Sequence, residues 1–290
     1  MKRLNLLLVI ALILSIFTGC QSNSTQYDIA ATTLPVYEFT TALCSGTDLR
    51  IGRMVTESIS CLHDYTLQVR QMRMLESAQL VVISGAGLED FLVDALTDVH
   101  VLIDASTNTR AHGHDHCDAH GDHHHEQDPH IWLSPPNARI MAQNIYTGLI
   151  ATYPENTAIF SANLESLLTR LEALEHYGND VLSTLSCRDL ITFHDGFSYF
   201  AECFGLNILY SAEEESGSEA SAAELKHLIQ LVKDNRLPAV FTEMNGSDAA
   251  AKIIGTETGV GSFTLDMAMS GNSYFTAMYH NINTIKEALG

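Results

Sequence analysis

The sequence predicts an α/β protein of two lobes, each a mainly parallel sheet flanked by helices, joined by one long backbone helix. Short apolar segments alternate with helical stretches, and that rhythm runs twice along the 290 residues. Such alternation argues for parallel strands covered on both faces. The third observation concerns the connection between the halves. From Leu164 the apolar residues Leu167, Leu171, Leu174, Val181 and Leu185 step by threes and fours, with Gly178 in the one missing place. That spacing marks a helix with one buried face.

The first half opens with an apolar strand, Asp28 to Thr33, ending just before Pro35. Val36, Phe39 and Leu43 then lie on one side of a helix. Leu49 to Val55 is a second strand and Leu67 to Ser77 is helical. Leu80 to Ser84 is a buried strand running into Gly85 and Gly87, followed by a helix over Leu88 to Leu96 and a strand over Val101 to Asp104. In the second half Leu190 to Phe193, Asn207 to Tyr210, Ala239 to Thr242 and Ser262 to Leu265 are the strands. Helices occupy Ala222 to Asn235, Ala249 to Thr258 and Phe275 to Leu289. Pro154 suits the first turn of the connecting helix, where its missing N–H costs nothing. From Pro154 to Leu185 that helix spans about 50 Å, enough to cross both lobes as a stiff spine. The lobes are therefore expected at 27–135 and 186–290, with a linking helical region at 136–185.

The N-terminus reads as an address. Lys2 and Arg3 precede an unbroken apolar run from Leu6 to Leu14, shorter than the roughly 20 residues a membrane-spanning helix needs. Residues 1–19 form a secretory signal. Phe17-Thr18-Gly19-Cys20 resembles a bacterial lipobox, with Phe17 where Leu is usual, so Cys20 is the expected lipidated first residue. Residues 20–26 are then a tether holding a monomeric domain on the extracytoplasmic side of a membrane.

Composition narrows the functional classes. Fifteen Lys and Arg against thirty-five Asp and Glu give a net charge of −20, which repels phosphate backbones and argues against nucleic acid. The 46 % hydrophobic content supports a large core. Of six cysteines, five remain beyond Cys20, and none lies in a C-x-x-C pair of the kind structural zinc sites use. A Cys187–Cys203 bridge is open on this reading.

The candidate chemistry follows the strands. His63 comes after the second strand, His194 after the first strand of the second half, and Asp266 after the last. Ligands of open parallel sheets sit outside the carboxyl ends of strands. His130, in Asp128-Pro129-His130-Ile131-Trp132-Leu133-Ser134-Pro135, is offered from a loop stiffened by Pro129. Three imidazoles and a carboxylate make a set suited to tetrahedral Zn²⁺. On position alone each residue is as open to a surface hydrogen-bonding role as to a ligand role. Glu243 also ends a strand, as a ligand, a loop partner or, in the reading favoured here, a carboxylate that orients a histidine.

At these residues the chain resembles the zinc/manganese solute-binding lipoproteins of ABC transporters, the cluster A-I binding proteins. The resemblance covers nearly everything after the signal. It rests on His63-Asp64-Tyr65, Gly87-Leu88-Glu89, the Asp128-to-Pro135 run, Phe193-His194-Asp195-Gly196-Phe197-Ser198-Tyr199-Phe200, Phe241-Thr242-Glu243 and Leu265-Asp266. It implies two α/β lobes on one long helix, with His63, His130, His194 and Asp266 at the four metal positions. It also implies delivery of the cation to a membrane permease driven by a cytoplasmic ATPase. One departure lies at Cys61-Leu62-His63, where the family usually has Pro before the histidine and a Pro-rich stretch after it. Manganese-type members usually place Glu where His194 stands, and imidazole suits zinc better than manganese, so Zn²⁺ is the expected cargo and Mn²⁺ the alternative.

Seven of fourteen histidines crowd into 111–126: His112, His114, His116, His120, His123, His124 and His125. Gly, Asp and His cannot build a packed core, so this segment is expected to be an auxiliary loop holding further zinc loosely. Two other classes stay in view. An adhesin or zinc buffer would need the metal but no permease. A zinc hydrolase would need an open coordination position, and the chain has neither H-E-x-x-H nor a G-x-x-x-x-G-K-[ST] loop.

Overall fold

The computed structural model describes residues 26–57, 62, 65–97, 99–110, 128–211 and 220–290. The signal, Cys20, His63 and the His-rich segment 111–126 lie outside the described residues. The first sheet is built from β1 (Ile29–Ala31), β2 (Ile51–Arg53), β3 (Leu80–Ile83) and β4 (Leu102–Asp104), all parallel, in the order β2-β1-β3-β4. Its helices are α1 (Leu34–Leu43), α2 (Val69–Ser77) and α3 (Val93–Leu96). The linking region holds α4 (Pro135–Thr152) and the spine α5 (Thr157–Leu182). The second sheet, β5 (Asp189–Thr192), β6 (Asn207–Ser211), β7 (Ala239–Glu243) and β8 (Gly261–Leu265), is again parallel, in the order β6-β5-β7-β8. It carries α6 (Ser198–Phe204), α7 (Ala222–Asn235), α8 (Ala249–Thr258) and α9 (Tyr274–Leu289). Counted within each lobe, the two strand orders are the same, 2-1-3-4.

Strand periodicity explains how these sheets pack. Alternate residues of a strand face opposite ways. Ile29, Ala31, Leu80 and Val82 therefore enter one apolar core, while Ala30, Val81 and Ile83 face a second cluster with Met74 and Leu75 of α2. In the other lobe Leu190, Ala239 and Phe241 join the same large core, and Ile191 and Val240 pack on α7 and α8. The spine contributes Leu167, Leu171 and Leu174 to that shared core and touches α1, α4 and α9. At Gly178 a Cβ would overlap the ring of Phe204, so the one gap in the apolar spacing is where α6 comes closest.

Two elements are shorter than expected. The chain turns at Tyr153 and forms a 3-10 turn over Pro154–Asn156 before α5 begins. The helix stops at Leu182, whose carbonyl accepts from Arg188 Nη2 at 2.9 Å. At about 1.5 Å per residue the 26-residue helix is roughly 39 Å long. The expected helix over Leu88 to Leu96 is a 3-10 turn, Asp90–Leu92, followed by the four residues of α3. Gly85, Ala86 and Gly87 all have positive φ, and the Glu89 side chain folds back onto Ser84 N and Gly85 N. That turn consumes the start of the helix.

The lobes are also joined beyond the spine. Residues after β8 dock on the first lobe: Leu34 N donates to Met269 O at 3.3 Å, and the Phe39 and Tyr274 rings meet edge-on at 5.0 Å. The Cys187–Cys203 bridge is absent, as Cys44, Cys187 and Cys203 are free thiols. Burial pushes the Cys203 thiol up to about 12, so it stays protonated and unreactive. Among the described residues no helix is long and apolar enough to cross a membrane.

Candidate metal centre

β5 ends at Thr192, and two residues later His194 stands at the carboxyl edge of the second sheet. The rigid Asp128-Pro129-His130 segment meets it there. His130 is 4 % exposed, and its Nε2 lies 3.5 Å from His194 Nε2, with ring centroids 5.2 Å apart. Each ring is held from behind by a buried carboxylate. Asp128 Oδ1 lies 2.8 Å from His130 Nδ1 and also accepts the His130 backbone N–H at 2.9 Å. Glu243 Oε2, at the end of β7, lies 3.2 Å from His194 Nδ1.

The Asp128 contact sets the tautomer of His130. A neutral imidazole has one N–H donor and one acceptor nitrogen. With His130 Nδ1 donating to Asp128 Oδ1, the His130 Nε2 carries a lone pair and faces His194 Nε2 at 3.5 Å. A cation beside the two Nε2 atoms is held by both rings when each imidazole is neutral with its proton on Nδ1. Imidazoles backed by carboxylates are the usual form of a histidine metal ligand, because the partner orients the ring and raises its basicity.

The carboxylates are anchored in turn. Ser198 Oγ donates to Asp128 Oδ2, and Tyr199 Oη donates to the Asp128 carbonyl at 3.0 Å. Both donors sit at the start of α6, just after His194, so the two histidine segments are tied together directly. Gly196 provides the necessary room: a Cβ there would lie 2.9 Å from both His130 Nδ1 and His194 Cδ2.

Asp266 follows β8 and is half-buried. Its Oδ1 accepts from Ala268 N at 2.8 Å, and burial pushes its carboxyl above the usual range, opposed by that N–H. The turn lies beside the histidine pair. Met267 Cε is 2.5 Å from the Cβ position at Gly196, and Trp132, whose ring is 5.4 Å from that of His130, donates to Met267 O at 2.7 Å. His63 falls outside the described residues, though its flanks are placed: Leu62 is buried in the shared core, and the Tyr65 ring meets Phe91 edge-on at 5.3 Å. Among the described residues no three His, Cys, Asp or Glu side chains converge as a metal-holding group.

The structure thus brings His130, His194 and Glu243 together and sets Asp266 on an adjacent turn. Sequence reasoning assigned no role to Asp128. The signal was present, since an Asp two residues before a His reaches both its backbone N–H and its ring. Asn281, which pairs with the Asp266 backbone, has no local signature.

The chain is similar to known proteins along nearly its whole length. The family described as zinc-uptake complex component A, periplasmic, matches residues 29–288. The zinc-binding lipoprotein AdcA of Streptococcus pneumoniae is 30% identical over 99% of this chain and 61% of the relative. A putative metal-binding protein of Treponema pallidum is 26% identical over 86% of this chain and 83% of that one. The chain thus spans about three-fifths of the length of the streptococcal relative. Among solved structures, a crystal structure of ZnuA covers 91% of this chain and 100% of its own at a TM-score of 0.80 and 28% identity. The zinc-bound ZnuA-like domain of S. pneumoniae AdcA covers 91% and 99% at a TM-score of 0.76 and 26% identity. With the family matched over residues 29–288, the chain belongs to the periplasmic component A family of zinc-uptake complexes.

Proposed function

We propose that this protein captures Zn²⁺ outside the cytoplasm, in the cleft between its lobes, and delivers it to an ABC-transporter permease driven by a cytoplasmic ATPase. The observation that carries this reading is the pair of imidazole Nε2 atoms facing each other at 3.5 Å, each ring backed by a carboxylate. Zinc-binding relatives support the choice of cation, as does the histidine-rich donor set. In this reading His63, His130, His194 and Asp266 are the ligands, and Asp128 and Glu243 orient two of the rings. The protein is a carrier and not an enzyme, because four protein ligands leave no position for an activated water.

The domain reading goes with it. Residues 1–19 are a lipoprotein signal, lipidated Cys20 and the tether to residue 26 hold the protein on the membrane, and 27–135, 136–185 and 186–290 are first lobe, link and second lobe. The segment from His112 to His125 is an auxiliary zinc-holding loop. Deleting 111–126 is expected to leave one tight zinc site and to lower the total zinc bound, since its seven histidines are donors additional to the four proposed ligands.

Metal analysis of protein purified without added zinc, followed by competition titration, tests the central reading. Zinc near one tightly held equivalent, lost in His130→Ala, is the expected result. Full affinity in that variant removes His130 from the site. Acidification releases the metal, because the imidazoles must be neutral to bind it.

A further inference from the structure

Asp266 is held by a residue that no motif of the sequence points to. Asn281, on α9, is fully buried and pairs with the Asp266 backbone in both directions: Asp266 N donates to Asn281 Oδ1 at 2.7 Å, and Asn281 Nδ2 donates to Asp266 O at 2.7 Å. This closes a ring of two hydrogen bonds around the backbone of one residue. Next along the chain, Met267 O accepts from Trp132 Nε1 at 2.7 Å. Ala268, at φ +54°, turns its N–H back onto Asp266 Oδ1 at 2.8 Å. Among the described residues none donates to Asp266 Oδ2. The turn therefore has its backbone fixed on both sides and one carboxylate oxygen committed to Ala268 N.

We infer that Asn281 is the positioning residue that aims Asp266 at the metal, and that its contribution to zinc affinity passes through Asp266. The inference rests on the reading of Asp266 as a ligand given above. A β8 end that simply ran into a loop would let the carboxylate swing on a flexible turn. The Asn281 pair instead anchors it to α9, a helix packed on the spine and in the shared core. A left-handed Ala is an unfavoured conformation for a residue with a Cβ, and it persists here because the surrounding hydrogen bonds over-determine the turn.

The test is a double-mutant cycle in full-length protein solubilised in detergent, with Zn²⁺ affinity from competition titration and the visible spectrum of bound Co²⁺ as readouts. Asn281→Ala is expected to weaken zinc about tenfold, the lower end for losing a group that supports a ligand. Its Co²⁺ spectrum should resemble that of Asp266→Ala. In the Asp266→Ala background the same change should cost nothing further, since additivity fails where two residues act as a unit. Losses that add in the double variant overturn the inference, as does unchanged affinity in Asn281→Ala when Asp266→Ala weakens binding. If Asp266→Ala leaves both affinity and spectrum unchanged, the ligand reading itself falls. Asn281→Ser is the second variant should Asn281→Ala not fold, and the fluorescence of Trp132, the single tryptophan, verifies that each variant keeps its core.

Discussion

The carboxyl ends of the two sheets occupy equivalent places in a shared 2-1-3-4 topology and carry opposite chemistry. In the first lobe the described polar groups at the ends of β1 and β3 satisfy one another. Thr32 Oγ1 donates to Glu89 Oε1 at 2.6 Å, the Thr33 and Ser84 hydroxyls meet at 2.7 Å, and Glu89 also accepts Ser84 N and Gly85 N at 2.8 and 2.9 Å. Ser106 Oγ bridges Asp104 Oδ1 and Ala86 N. The second lobe instead ends its strands in His194, Glu243 and Asp266. Topology makes a crevice at both sheet ends, but it does not decide which strand ends have lone pairs left for a ligand. In the first lobe hydroxyls and a buried carboxylate close the ends of β1 and β3 into structure. In the second, imidazoles and carboxylates sharing few protons leave acceptors facing inward.

Breaking the open end has the largest effect expected on binding. His194→Ala deletes an imidazole nitrogen donor together with its contact to Glu243, and zinc affinity measured by competition titration is expected to fall by more than the 10–100-fold typical of losing a group behind a ligand. A loss smaller than that would mean the second lobe does not supply a main ligand. Glu243→Gln keeps the shape and an acceptor but removes the charge that favours the bound imidazole. A loss near tenfold is expected, with the melting temperature of metal-free protein little changed; an unaffected affinity would make Glu243 a loop partner only.

The closed end should respond the other way round. Glu89→Gln leaves zinc affinity unchanged and lowers the melting temperature, because an amide cannot accept from Thr32, Ser84 and Gly85 together, and a buried polar group left unpaired costs about 1–3 kcal/mol. The pH dependence sharpens this. Burial, opposed by the Thr32, Ser84 and Gly85 donors, raises the Glu89 carboxyl to about 7 from an ordinary 4.5. The folded state then binds the extra proton between those values. Stability from Glu89 is fully present below pH 4.5 and is lost as pH rises to about 7. The stability advantage of the wild type over Glu89→Gln should shrink over that window by on the order of 3 kcal/mol. A difference that is flat with pH in chemical denaturation overturns this account, and a loss of zinc affinity would place Glu89 in the site.

Much of this was legible in the residues. Leu80-Val-Val-Ile and Ala239-Val-Phe-Thr read as buried strands because backbone geometry sends alternate side chains to opposite faces, and apolar residues on both faces demand cover on both. The spine was legible because a 3.6-residue turn makes three-four spacing a single stripe. The helix ends were less so. α5 stops at Leu182 and not Leu185 through the reach of Arg188, and the expected helix from Leu88 gives way to the turn that Glu89 pulls back on Ser84 and Gly85.

For the site, the sequence by itself determined which side chains stand at strand ends: His194, Glu243 and Asp266 follow strands whose periodicity is local. Only the tertiary structure decided what each can do. The Nε2 of His130 faces that of His194 across 64 residues, Trp132 reaches Met267 across 135, and Asn281 meets Asp266 across 15 on a different element. Periodicity is written by hydrophobic burial along one stretch of backbone, so neighbouring residues suffice to read it. A hydrogen-bond partner and the tautomer it imposes depend on which distant segments the packed core brings within about 3 Å, and no local pattern encodes that.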